Sequence, residues 1–135
     1  MTIFEEKYFQ KFTFTEEQQA KFIKAGIRDL RIAEKSEIPE VVFKFSYDAL
    51  IKFGITCIAQ SGYKARSVPG HHVKILEKME ELLGDEDIGI LGGKMRQMRN
   101  FDFYDGGIEI SEKESIECLS FVKRVAEKAT KFFNS

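Results

Sequence analysis

The stretch opening at Pro39 constrains this chain most. From there to about residue 61, apolar side chains fall on nearly every side of a helical projection: Val41, Val42, Phe43, Phe45, Tyr47, Ala49, Leu50, Ile51, Phe53, Ile55, Cys57 and Ile58. A helix in a small domain ordinarily has one apolar stripe to bury. Here Phe43, Tyr47, Leu50 and Ile58 cannot share one stripe with Val42, Phe45, Ala49 and Phe53. Two covered faces imply a central helix, an intermolecular interface, or both at once. We expect both, with a two-fold homodimer as the commonest closed arrangement. Pro39 suits the first turn of such a helix, and Asp48 within it needs a partner if buried.

Helical signals recur on either side. Thr15-Glu16-Glu17-Gln18 reads as a capping box opening a helix over residues 16–35, with Phe22, Gly26, Ile27, Leu30 and Ala33 facing a core. Asp29 lies off that stripe and reads as a solvated charge. A third helix follows the connector 62–72, with Val73, Leu76, Met79 and Leu83 inward and Gly84 at its end. Asp85 or Asp87 can cap a fourth, running through Ile88, Leu91, Met95 and Met98. Gly89, Gly92 and Gly93 weaken it by about 1 kcal/mol each relative to alanine, so its first turn is expected to be irregular or closely approached by another backbone. Ser111-Glu112-Lys113-Glu114 is a second capping box, opening a helix to about residue 133 along Ile116, Leu119, Val122, Ala126, Ala129 and Phe133. Residues 1–14 alternate aromatic and charged side chains, as an amphipathic turn or an arm packed on the body would. Period-two alternation never extends beyond a few residues, so no strand is expected. The fold class is all-α: one domain over residues 1–135, an antiparallel bundle of about five helices with residues 1–14 as an N-terminal arm.

At 135 residues the chain suffices for one sizeable core. Its formal net charge of −1 gives no global attraction to nucleic acid or anionic membrane, so any such contact needs a local basic patch. The apolar stretches are too short and interrupted for a membrane span, and Glu5 and Glu6 stand where a signal peptide is apolar, so a soluble cytoplasmic protein is expected. Cys57 and Cys118 each fall inside an apolar helical pattern and read as buried free thiols rather than a metal or redox pair. No cofactor motif is present.

The chemistry concentrates in Lys94-Met95-Arg96-Gln97-Met98-Arg99-Asn100-Phe101-Asp102-Phe103-Tyr104-Asp105-Gly106-Gly107. Arg96 and Arg99 are three apart and share a helix face, while Met95, Met98 and Phe101 follow the same period on a neighbouring face and can anchor the segment in a core. Gly106 and Gly107 end the helix. Guanidiniums near a helix end suit phosphate or carboxylate recognition; the plainer alternative is an exposed, salt-bridged helix end. The connector Gly62-Tyr63-Lys64-Ala65-Arg66-Ser67-Val68-Pro69-Gly70-His71-His72 is basic and leads into a helix N-terminus that can hold a phosphate. Its plainer reading is a capped surface turn with one solvated and one packed histidine. Adjacent histidines diverge by about 100° on a helix, so they do not readily chelate one metal. The glycines of 89–93 lack the strand-then-helix context of a phosphate loop.

Arg99-Asn100-Phe101-Asp102-Phe103-Tyr104 resembles the HEPN superfamily (higher eukaryotes and prokaryotes nucleotide-binding), whose signature is an arginine, a polar residue, several variable positions and a histidine, late in an all-α bundle. Arg99 and Asn100 match its start, and Tyr104 stands in the histidine position. The likeness extends to Asp29-Leu30, to Tyr47-Asp48-Ala49-Leu50 and to the connector from Gly62-Tyr63 to Pro69-Gly70-His71-His72, so it covers most of residues 15–133. It implies a HEPN-like bundle and a homodimer whose arginine motifs face one another across a cleft that binds RNA or nucleotide. It also implies a setting in toxin–antitoxin or defence systems, with an antitoxin or nucleotidyltransferase as partner protein. On that basis Arg96, Arg99, Asn100, Asp102 and Tyr104 form the nucleotide or RNA site, joined by His71 and His72 from the connector. In the family's metal-independent endoribonucleases histidine assists proton transfer while arginine steadies the phosphate. A phenol titrates near pH 10 and is a poor base at neutrality, so Tyr104 points to a binding protein with weak or no nuclease activity. The alternative is an active ribonuclease in which Arg99 works with Tyr104 or a recruited histidine.

Overall fold

The computed structural model describes residues 2–135 other than Asp105 and Ile108; for Asp102, Phe103 and Tyr104 it describes the backbone alone. Five α-helices and two short strands follow in the order β1 (Phe9–Lys11), α1 (Glu16–Lys35), α2 (Pro39–Gln60), β2 (Tyr63–Ala65), α3 (His71–Leu83), α4 (Glu86–Tyr104) and α5 (Glu112–Asn134). The architecture is the expected all-α bundle. Both capping boxes form: the Gln18 amide donates to Thr15 Oγ1 at 3.1 Å, and the Glu114 amide donates to Ser111 Oγ at 3.0 Å. Pro39 occupies the first turn of α2. Asp85 starts α4, its carboxylate accepting the Asp87 amide at 3.0 Å while Lys128 and Arg124 of α5 neutralise it.

The two apolar faces of α2 are covered within the chain. It is the central helix, packed against α1 and α5 and also against α3 and α4, and Tyr47, Ala49, Leu50, Phe53, Cys57 and Ile58 are fully buried. Two glycines permit this density. A Cβ at Gly26 of α1 would stand 2.8 Å from the Phe53 ring, and one at Gly54 would stand 2.5 Å from Ile75 and 2.6 Å from the Met79 sulfur. Neither helix could approach α2 as closely with a larger residue.

Several details differ from the expectation. The arm is a strand as well as a packed segment: β1 pairs antiparallel with β2 in the register Phe9–Ala65, Gln10–Lys64 and Lys11–Tyr63. Phe9 is buried, and Phe4 stacks on Tyr63 with ring centroids 4.1 Å apart. Glu5 ties the arm to α3 through Lys78 at 2.8 Å and Lys74 at 3.1 Å. Asp29 is buried rather than solvated, because α1 turns it toward α2, where Lys52 meets its carboxylate at 2.6 Å. Asp48 is half-buried and pairs with Lys44 one turn earlier, at 3.1 Å. On the amphipathic helices the buried face is rotated slightly: Ile23 replaces Phe22, Ile75 replaces Val73, and Ile116 is 51% exposed; on α4 Met95 is buried, but Phe101, expected inward, faces outward. The glycines of α4 do not break its first turn. The close approach comes from side chains rather than another backbone, the Glu80 carboxylate at Gly89 and Leu76 at Gly92, while Gly93 has open space beside it.

A cationic cleft between helices three and four

Helices α3 and α4 form a hairpin around Gly84, so the start of α3 lies beside the last turns of α4. Between them opens a cleft of about 390 Å³, walled by residues 67–70 and by His71 and His72 on one side and by Arg96, Arg99 and Asn100 on the other. The i, i+3 spacing on α4 aims both guanidiniums into it. All five of these α3 and α4 residues are half-buried, and among the described residues no carboxylate lines the cleft. Among the described residues no acidic side chain pairs with Arg96. Arg99 leans over Asn100, 3.5 Å from its amide oxygen. Gly70 at the start of α3 carries no capping side chain, and the first turn holds no acidic residue. The partial positive charge of that helix end therefore adds to that of the arginines.

The two histidines are held differently. The His71 ring Nδ1 lies 2.9 Å from the Val68 carbonyl oxygen, which can only accept. In the neutral ring Nδ1 therefore carries the hydrogen and Nε2 keeps the lone pair. His72 Nδ1 is hydrogen-bonded to the Tyr47 hydroxyl at 2.9 Å, which anchors the start of α3 to the central helix. Burial, reinforced by His71, Arg99 and Arg96, lowers the His72 pKa to about 4, against a smaller opposing effect of Asp48. Burial also raises the Tyr47 phenol to about 12. At neutral pH the Tyr47–His72 pair is uncharged, and the cleft's positive charge comes from α4 and the end of α3.

Of the residues expected in the site, His71, His72, Arg96, Arg99 and Asn100 converge on this one cleft. The side chains of Asp102 and Tyr104 lie outside the described residues. By pattern Tyr47 belongs to the apolar face of α2, and that pattern hides its polar tip, the partner of His72. A phenol beside Asp48, in an otherwise largely apolar helix, is the available signal. Ser67 and Val68 belong to the connector singled out in the sequence, but the role of the Val68 carbonyl, a backbone acceptor, leaves no trace in residue type. Among the described residues, no three His, Cys, Asp or Glu side chains cluster as metal ligands, and no helix is long and apolar enough to cross a membrane.

Fold and site together define an all-α bundle with a cationic, histidine-walled cleft. Comparison with family models, curated proteins and solved structures finds no match for this chain.

Proposed function

We propose that the protein is a HEPN-like binding module for RNA or nucleotide, with weak or no nuclease activity, and that the α3–α4 cleft is its site. One observation carries the reading. Two arginines, an amide, two histidines and an uncapped helix start, drawn from segments some 25 residues apart in sequence, meet in one cleft. Guanidinium pairs and free helix amides are complementary to phosphate oxygens. Titrating a fluorescently labelled RNA oligonucleotide into the wild type and into Arg96→Ala and Arg99→Ala tests it. Salt-sensitive binding that either substitution reduces tenfold or more, with the fold intact, supports the reading. Unchanged binding in both variants removes it.

A second reading, a metal-independent endoribonuclease, is favoured by His71. Its tautomer leaves Nε2 as a proton acceptor on the wall that faces Arg99, an arrangement suited to general base catalysis beside a phosphate clamp. Incubating the protein with total RNA in EDTA and mapping any cleaved ends separates the two. Cleavage that His71→Gln abolishes supports the nuclease, and intact RNA supports the binding module.

Assembly as a homodimer also belongs to this proposal, as does a setting beside an antitoxin or nucleotidyltransferase in the cytoplasm. With α2 covered internally, support for self-association comes from α4, whose outer face presents Ile90 and Phe101, 61% and 52% exposed, on either side of Gly93.

A further inference from the structure

A second cavity, also of about 390 Å³, adjoins the cationic cleft. Ser67, His71 and His72 line both, so the start of α3 forms a partition between them. The two differ sharply in character. On its far side the second cavity is walled by Phe14 at the end of the arm, Phe22 of α1, Ile51 and Ile55 of α2, and Tyr63 of β2. Phe14 and Phe22 meet edge to face, ring centroids 5.0 Å apart at 89°, and fix an aromatic corner. The cavity's polar residues are Ser67, His71 and His72 at the partition, with Tyr63 and Lys64 of β2.

We propose that this apolar cavity is a nucleobase pocket, so that the two cavities together take one nucleoside monophosphate unit, either free or at the end of an RNA. The inference rests on reading the α3–α4 cleft as the phosphate site and adds the part of the ligand that gives it selectivity. Each cavity lies within the size range of small-molecule sites, which are mostly apolar with a few convergent polar groups. Aromatic walls bind bases through their flat π faces. Ser67 and the histidines, on the partition between the base and phosphate sides, can bond to base edges or ribose hydroxyls, whereas an alkyl chain would leave them unpaired. Tyr47 holds His72, and with it the partition, to the central helix.

Calorimetric titration at neutral pH with inorganic phosphate, adenosine, AMP, hexyl phosphate and the dinucleotides pApA and ApA tests the assignment. AMP is expected to bind at least tenfold more tightly than phosphate, adenosine or hexyl phosphate. Binding of pApA comparable to AMP, and well above ApA, identifies an RNA end as a natural source of the unit; binding of AMP alone identifies the free nucleotide. Phe22→Ala shortens the aromatic corner, and Ala65→Phe fills the cavity from β2. Whichever of them retains the wild-type circular dichroism spectrum should bring AMP down to the affinity of phosphate and leave phosphate binding unchanged. AMP binding no tighter than phosphate, or hexyl phosphate matching AMP, overturns the nucleobase pocket while the cationic cleft stands. If neither phosphate, AMP nor RNA binds at all, the cleft reading fails and the pocket assignment with it.

Discussion

Tyr47 and His72, 25 residues apart, are joined by a 2.9 Å hydrogen bond that pins the start of α3 to the central helix. The bond gives the cleft a fixed wall and makes the protein's stability depend on pH. The native His72 pKa is about 4, against an ordinary 6.5. Between those values the unfolded chain binds more protons than the native one, so stability falls as pH drops from 6.5 to 4, by on the order of 2 kcal/mol. Thermal melts across that window should show the decline, and His72→Gln should flatten it. Parallel curves for wild type and variant would contradict it. The lowered carboxylates of Glu5 and Asp85 add their own losses as pH falls below their ordinary values of 4.5 and 3.8, so the decline above pH 5 reports His72.

Removing only the hydroxyl is a milder change. Tyr47→Phe leaves His72 Nδ1 without its partner in a half-buried position and should cost about 1–2 kcal/mol. Denaturant unfolding measures this directly, and a loss below a few tenths of that figure would mean that solvent replaces the bond.

The glycines of the bundle should respond in opposite directions. Gly54→Ala drives a methyl into Ile75 and Met79 and should destabilise by about 1–3 kcal/mol. Gly93 has no neighbouring atom within 4 Å of an added Cβ, so within one chain Gly93→Ala should stabilise α4 by about 0.5–1 kcal/mol. If α4 packs on a second copy, that gain should be lost and the dimer weakened. Light scattering at micromolar concentration, on the wild type and on Ile90→Glu, decides it. A wild-type dimer that the charge dissociates supports self-association through α4, and a monomeric wild type ends it.

Both thiols should label slowly in the native state. Burial raises Cys57 to about 12 and Cys118 to about 11, the latter assisted by Glu114 and Glu117, so little thiolate is present near neutrality. Rapid reaction of both with a thiol reagent without denaturant would show that the helices around them open readily.

The features legible in the sequence were those with a local cause. Thr15 and Ser111 announce helix starts because the capping partner lies three residues away, and Pro39 announces its own. What could not be read depends on how helices meet. The three-residue strands β1 and β2 are too short to show alternation, and their pairing joins segments more than 50 residues apart. Asp29 looks like a surface charge until α1 is laid against α2 and Lys52 reaches it. The same holds for the site: the i, i+3 arginines were visible, but their meeting with His71 and His72 follows from the hairpin of α3 and α4. No local pattern encodes that geometry.

Mapping amide shifts by NMR as AMP or a short RNA is added tests the central claim most directly. If the α3–α4 cleft is the nucleotide site, the strongest changes should fall on residues 67–72 and 96–100, and Arg99→Ala should erase them while leaving the remaining spectrum in place. Shifts confined to other surfaces, or a spectrum unmoved by either ligand, would contradict it.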